Sequence, residues 1–133
     1  KSTPRLAMNS ISRAMAVIIG DYVTTWISGT ASIVNSETVH PGDAARQTEQ
    51  TIENIQRLIS RENFERHGVS GAGATLEDLA KIRVYVKREE DFETCRAICE
   101  RRFGPLPAIY AHADVCRPDL LVEIEGVAFS RLS

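Results

Sequence analysis

The chain has 133 residues, 43% of them hydrophobic and 26% charged, which is the profile of one globular domain with its own core. Its 16 basic and 18 acidic residues nearly cancel, and one Trp, three Tyr and four Phe offer few stacking platforms, so the pattern excludes a nucleic-acid binder. No apolar run nears the ~20 residues of a membrane span, and three cysteines, an odd number, argue against a disulfide framework and for a reducing cytoplasm.

The opening Lys1-Ser2-Thr3-Pro4-Arg5 has neither Met nor a signal-peptide pattern, the mark of a fragment boundary or a processed end. Two β-rich runs follow. Arg13-Ala14-Met15-Ala16-Val17-Ile18-Ile19 ends at the turn signal Gly20-Asp21, and Val23-Thr24-Thr25-Trp26-Ile27-Ser28-Gly29-Thr30-Ala31 comes next, so the pair reads as a hairpin. Asp43 is placed to cap a helix over 43–64, whose Ala44, Thr48, Ile52, Ile55 and Ile59 recur at helical spacing. Residues 67–75 form a glycine-containing loop, and Thr75 with Asp78 matches a capping box. Lys81-Ile82-Arg83-Val84-Tyr85-Val86 alternates polar and apolar residues and is a strand. A second helix covers about 90–102 and stops at Gly104-Pro105, and strands at 108–114 and 121–129 close the order ββαβαββ.

Two helices cover one face of such a sheet. Ile82, Val84 and Val86, with Val122, Ile124 and Ala128, belong under them. The other face carries Lys81, Arg83, Tyr85, Glu123 and Glu125 together with apolar Leu121, Val127 and Phe129. A face of that content calls for a cover, either another subunit or a missing domain.

Glu123 is the leading candidate for chemistry. A carboxyl in an otherwise apolar strand can have a raised pKa and donate a proton, although alternation alone favours a salt-bridged or edge-exposed strand residue. Arg83 and Arg117 are candidates to hold a carboxylate, and Tyr85 and Tyr110 to orient a ligand, against the ordinary roles of surface ion pair, turn residue and half-buried strand tyrosine. Cys95 and Cys99, at i and i+4 on a helix, lack the further ligands a metal needs and read as core, so no metal or cofactor is expected. Cys116 precedes a turn and has a packing or site-lining role; His40 and His112 are structural. The Gly68–Gly73 loop follows a helix and lacks the lysine of a phosphate loop.

Ile27-Ser28-Gly29, Gln47-Thr48 with Asn54-Ile55, Leu79 to Val86, Asp91-Phe92 and Val122-Glu123-Ile124-Glu125-Gly126-Val127-Ala128 resemble the RidA (YjgF) family over about residues 13 to 130. The resemblance implies an α+β fold, a mixed sheet with two helices on one face, and trimers with clefts between subunits. RidA enzymes hydrolyse enamines and imines with an arginine at the start of the penultimate strand, a position that Ala108 occupies here. A closer resemblance is to the C-terminal domain of chorismatases, carried by Trp26 to Ile33, His40-Pro41-Gly42-Asp43 and Cys116-Arg117-Pro118-Asp119-Leu120-Leu121-Val122-Glu123-Ile124-Glu125-Gly126. It implies that the chain, one domain over 1–133, is the C-terminal part of a longer enzyme that cleaves chorismate to pyruvate and a hydroxybenzoate. It also implies Glu123 as the acid, and Cys116 and Gly29 as pocket positions that influence the product. Arg83, Tyr85, Tyr110 and Arg117 are implied as substrate contacts. The expected partners are chorismate or a hydroxybenzoate, with either two further copies of the chain or an N-terminal domain. An enamine deaminase and a non-catalytic metabolite-binding module are the alternatives.

Overall fold

The computed structural model describes the backbone of residues 5–9 and all of residues 13–115 and 117–133. Strands β1 (Arg5–Asn9), β2 (Ala14–Ile19) and β3 (Tyr22–Thr30) lead into a short hairpin, β4 (Ile33–Val34) and β5 (Glu37–Thr38). Helices α1 (Ala44–Leu58) and α2 (Arg61–Arg66), strand β6 (Leu79–Val86), helix α3 (Phe92–Phe103) and strands β7 (Ala108–His112) and β8 (Val122–Arg131) follow. Six strands form one mixed sheet in the order β1-β2-β3-β8-β6-β7, all antiparallel except the β6–β7 pair.

The local causes are those the sequence carries. The Asp43 carboxylate accepts from the Arg46 N–H at 2.9 Å and starts α1. Gly104, at φ 76°, ends α3 in a conformation that favours glycine. The 43–64 helix is corrected to two helices, because Ser60 adopts an extended conformation and its hydroxyl accepts from the Asn63 N–H at 3.2 Å, capping α2. The Thr75–Asp78 box opens a single 3-10 turn rather than an α-helix. Strand β1 and the β4–β5 hairpin are additions that the sequence pattern did not mark.

Helices α1 and α3 lie on one face. Ile52, Ile55, Val84, Val86, Cys95, Cys99, Val122 and Ile124 are buried in the principal core between helices and sheet. Among the described residues nothing forms a layer over the opposite face. Trp26 remains 47% exposed and Phe129 56%, and Ile19, Tyr22 and Ile109 are equally bare. Leu121 is corrected from the open face to the core: it precedes β8 and is only 6% exposed.

Candidate active site on the open sheet face

Strands β6 and β8 are neighbours, with Tyr85 opposite Glu123 and Arg83 opposite Glu125. The sheet therefore brings together the four side chains singled out on these strands. They divide into two environments. Glu125 is satisfied: its Oε1 accepts from Arg83 Nη1 at 3.2 Å and from the Tyr85 hydroxyl at 3.1 Å. Arg83 thus serves a carboxylate of its own chain, and Tyr85 leans diagonally away from its register partner.

Glu123 has no such support. Among the described residues no group donates a hydrogen bond to it or pairs with it. Its carboxyl instead rests on the backbone of β3. A methyl group built on Gly29 would meet Glu123 Cδ and Oε2 at 2.7 Å, closer than any real contact of that kind. Gly29 lies within an irregularity of the β3–β8 ladder between Ile27 and Thr30, where the strand yields room. Burial pushes the Glu123 carboxyl above its ordinary pKa, Glu125 pushes it in the same direction, and Arg13 opposes them. The result is a carboxyl that holds its proton longer than a solvated glutamate and, among the described residues, accepts no hydrogen bond.

Arg13 is a residue that sequence reading missed. It immediately precedes β2, and its carbonyl accepts from both the N–H and the hydroxyl of Ser28, each at 2.9 Å. Its guanidinium donates to the Gly29 carbonyl at 3.3 Å. Only the strand register marks it, since Arg13 meets the Ser28-Gly29 corner by pairing across the β2–β3 hairpin.

Arg117, in the loop before β8, donates from Nη1 to the Ser36 carbonyl at 3.0 Å. Tyr110 is not part of this constellation within one chain. It shares a register with Val84, faces the helices, and packs against Phe92 with the rings tilted and their centres 5.9 Å apart. Burial pushes its hydroxyl up to about 12. Cys116 lies outside the described residues. Cys95 and Cys99 are buried free thiols, and burial raises both above the ordinary thiol range, Cys99 to about 12, so neither is a poised nucleophile. Among the described residues no group of three or more His, Cys, Asp or Glu is placed to hold a metal. No helix among them is long and apolar enough to cross a membrane.

The chain matches the family described as Endoribonuclease L-PSP over residues 5–130. It is 48% identical to a 3-hydroxybenzoate synthase of Streptomyces hygroscopicus over 103 residues, which are 77% of this chain and 30% of that protein. It is 30% identical to the 3-aminoacrylate deaminase RutC of Acinetobacter baylyi, over 71% of this chain and 68% of that one. A crystal structure of a chorismatase superposes with a TM-score of 0.81 at 40% identity, covering 88% of this chain and 35% of the chorismatase. The chain thus spans about a third of the length of the chorismatase-type proteins it resembles.

Proposed function

The chain belongs to the endoribonuclease L-PSP family, the RidA/YjgF family, and from that premise we propose that it is the acid-bearing part of an enzyme that cleaves chorismate to pyruvate and a hydroxybenzoate. The observation that carries the proposal is the Glu123 carboxyl, without a hydrogen-bond or ion-pair partner among the described residues, raised in pKa and set against Gly29. The similarity to a 3-hydroxybenzoate synthase supports the choice of substrate.

The chemistry asks for such a group. Chorismate carries an enol ether joined to a carboxylate, and carbon is a poor base. Protonating the enol methylene carbon gives an oxocarbenium ion. The ether C–O bond to the ring then breaks, its electrons stay with oxygen, and pyruvate departs. Loss of the proton on the hydroxyl-bearing ring carbon then makes the ring aromatic and gives 4-hydroxybenzoate, or the hydroxyl oxygen first moves to the neighbouring cationic carbon and proton loss gives the 3-isomer; either hydroxybenzoate and pyruvate together hold all the atoms of chorismate. A neutral, positioned carboxyl is the donor that this first step needs, and such donors are worth ~10²–10⁴-fold. Burial shifts Glu123 toward the neutral form, and the contact with Gly29 gives it a position. The reaction as written needs no cofactor. The apolar open face is covered in the working protein, by further copies of this chain or by another domain of a longer one.

The test is incubation with chorismate followed by chromatographic separation of products, for the wild type and Glu123→Gln. The expected outcome is pyruvate and hydroxybenzoate from the wild type and a loss of ~10²–10⁴-fold in the variant. Pyruvate release by Glu123→Gln at the wild-type rate would overturn the mechanism. The similarity to a 3-aminoacrylate deaminase makes enamine hydrolysis the second reading. Against it stands Ala108, which offers no guanidinium at the start of β7. Ammonia release from an enamine generated in situ, without cleavage of chorismate, would favour that reading.

A further inference from the structure

A cleft of about 830 Å³ opens at the end of the sheet, between the β3 end, the β4–β5 hairpin and the α1–α2 corner. Four arginines line it, Arg13, Arg57, Arg66 and Arg117, against two glutamates, Glu53 and Glu62. Arg57 is spoken for by Glu53 at 3.8 Å. The other three have no carboxylate within ion-pair distance among the described residues. Each donates instead to a neutral oxygen: Arg13 to the Gly29 carbonyl, Arg66 to the Asn63 side chain and Arg117 to the Ser36 carbonyl. Four guanidinium groups against two carboxylates leave the concavity with a surplus of positive charge, and an anion placed among them relieves the repulsion.

Arg13 occupies the end of this cleft that meets the Glu123 site. Its main chain is fixed by the two hydrogen bonds from Ser28, so the side chain issues from a defined point. Its bond to the Gly29 carbonyl leaves four further N–H donors in a planar fork. Glu123 lies on the same glycine. A carboxylate gripped by Arg13 therefore sits beside the acid, with the remaining arginines extending the positive field outward.

We propose that Arg13 is an anion-anchoring residue that binds a carboxylate of the substrate next to Glu123, with the arginine-lined cleft as its electrostatic approach. The substrate class follows: a small carboxylate or dicarboxylate whose reacting carbon lies within reach of the acid. The inference rests on the Glu123 reading for the reaction but not for the binding.

Two measurements on the full chain separate the two. Calorimetric titration with 3-hydroxybenzoate and, in the Glu123→Gln background, with chorismate measures anion binding without turnover. The steady-state parameters of chorismate cleavage measure its use. Arg13→Ala is expected to weaken binding of both probes and raise KM by about 10- to 100-fold, the range of a charge-assisted contact. Arg13→Lys, which keeps the charge and loses the fork, is expected to fall between. Arg96→Ala, on α3 and outside the cleft, and an unchanged urea midpoint for Arg13→Ala serve as controls. Wild-type affinity in Arg13→Ala, or no binding of either probe by the wild type, overturns the anchor. Arg13-dependent binding without chorismate cleavage keeps the anchor and removes the proposed reaction. Cleavage with a KM indifferent to Arg13 does the reverse.

Discussion

At the scale of single residues, Glu123 and Gly29 act as one unit. The Glu123 pKa stands above the ordinary carboxyl value of 4.5 in the folded chain. At pH below that value the folded and unfolded chains both hold the proton. As pH rises through it, the unfolded chain releases its proton first, and folding loses stability until pH passes the folded-state pKa. Above that point the penalty is constant. Glu123→Gln removes the penalty, so the variant should gain stability relative to wild type between about pH 4 and about pH 7, as urea unfolding at both pH values would show. A relative loss at the higher pH would mean that the carboxylate is stabilised rather than strained. Gly29→Ala acts on the same contact from the other side. The new methyl would displace the Glu123 carboxyl, the far end of a flexible side chain, and Gly29 does not require a left-handed backbone. Stability should therefore change by less than about 1 kcal/mol, whereas cleavage should slow by at least about 10-fold, the cost of moving a catalytic group by an ångström. Turnover at the wild-type rate with an unaltered product ratio would count against the contact.

At the scale of elements, α1 sets the position of β8. Gln47 is fully buried and spans the gap between them. Its Nε2 donates to the His40 carbonyl at 3.2 Å and the Asp119 carbonyl at 2.9 Å, and its Oε1 accepts from the Leu121 N–H at 2.8 Å. Two residues later the chain reaches Glu123. Gln47→Leu leaves these backbone groups without partners and should cost about 2–4 kcal/mol, read as a lower urea midpoint at constant slope. An unchanged midpoint would show that the loop finds other partners. The elements themselves were largely legible in the sequence: alternation found β6 and β8, and Asp43 and Gly104 marked real helix ends. Gln47, by contrast, occupies a core position in the α1 pattern, and nothing in its spacing announces a bridge to residue 119. The division of α1 from α2 was hidden because Ile59 continues the apolar stripe while Ser60 turns the backbone. The same limit applies to the site. Glu123 stood out as a charge in an apolar strand, but Arg13 gains its place only through pairing with Ser28 across a hairpin, and Tyr110 faces the helices because the register of β7 sets it beside the buried Val84.

At the scale of the whole molecule, the described residues leave one side of the six-stranded sheet without a layer. Trp26 lies beside Val127 and Thr24 beside Phe129 in adjacent strands, so the exposed aromatics join into a patch rather than standing singly. Glu123, Glu125 and Arg83 lie on this same face, and a cover over the patch would also shut water away from the acid. Exclusion of water strengthens every charge interaction made there and lifts the pKa of Glu123 further in the same direction. Assembly and catalysis should therefore fail together. Sedimentation velocity of the full chain is expected to show a species larger than a monomer, and Trp26→Glu, which places a charge in the centre of the patch, should shift it to monomer. Far-UV circular dichroism should stay constant, because the Trp26 side chain takes no part in the core between helices and sheet. Chorismate cleavage should fall with the assembly. If Trp26→Glu remains assembled, copies of the chain meet through another surface; if the wild type is a monomer and still turns over chorismate, the acid works without a cover.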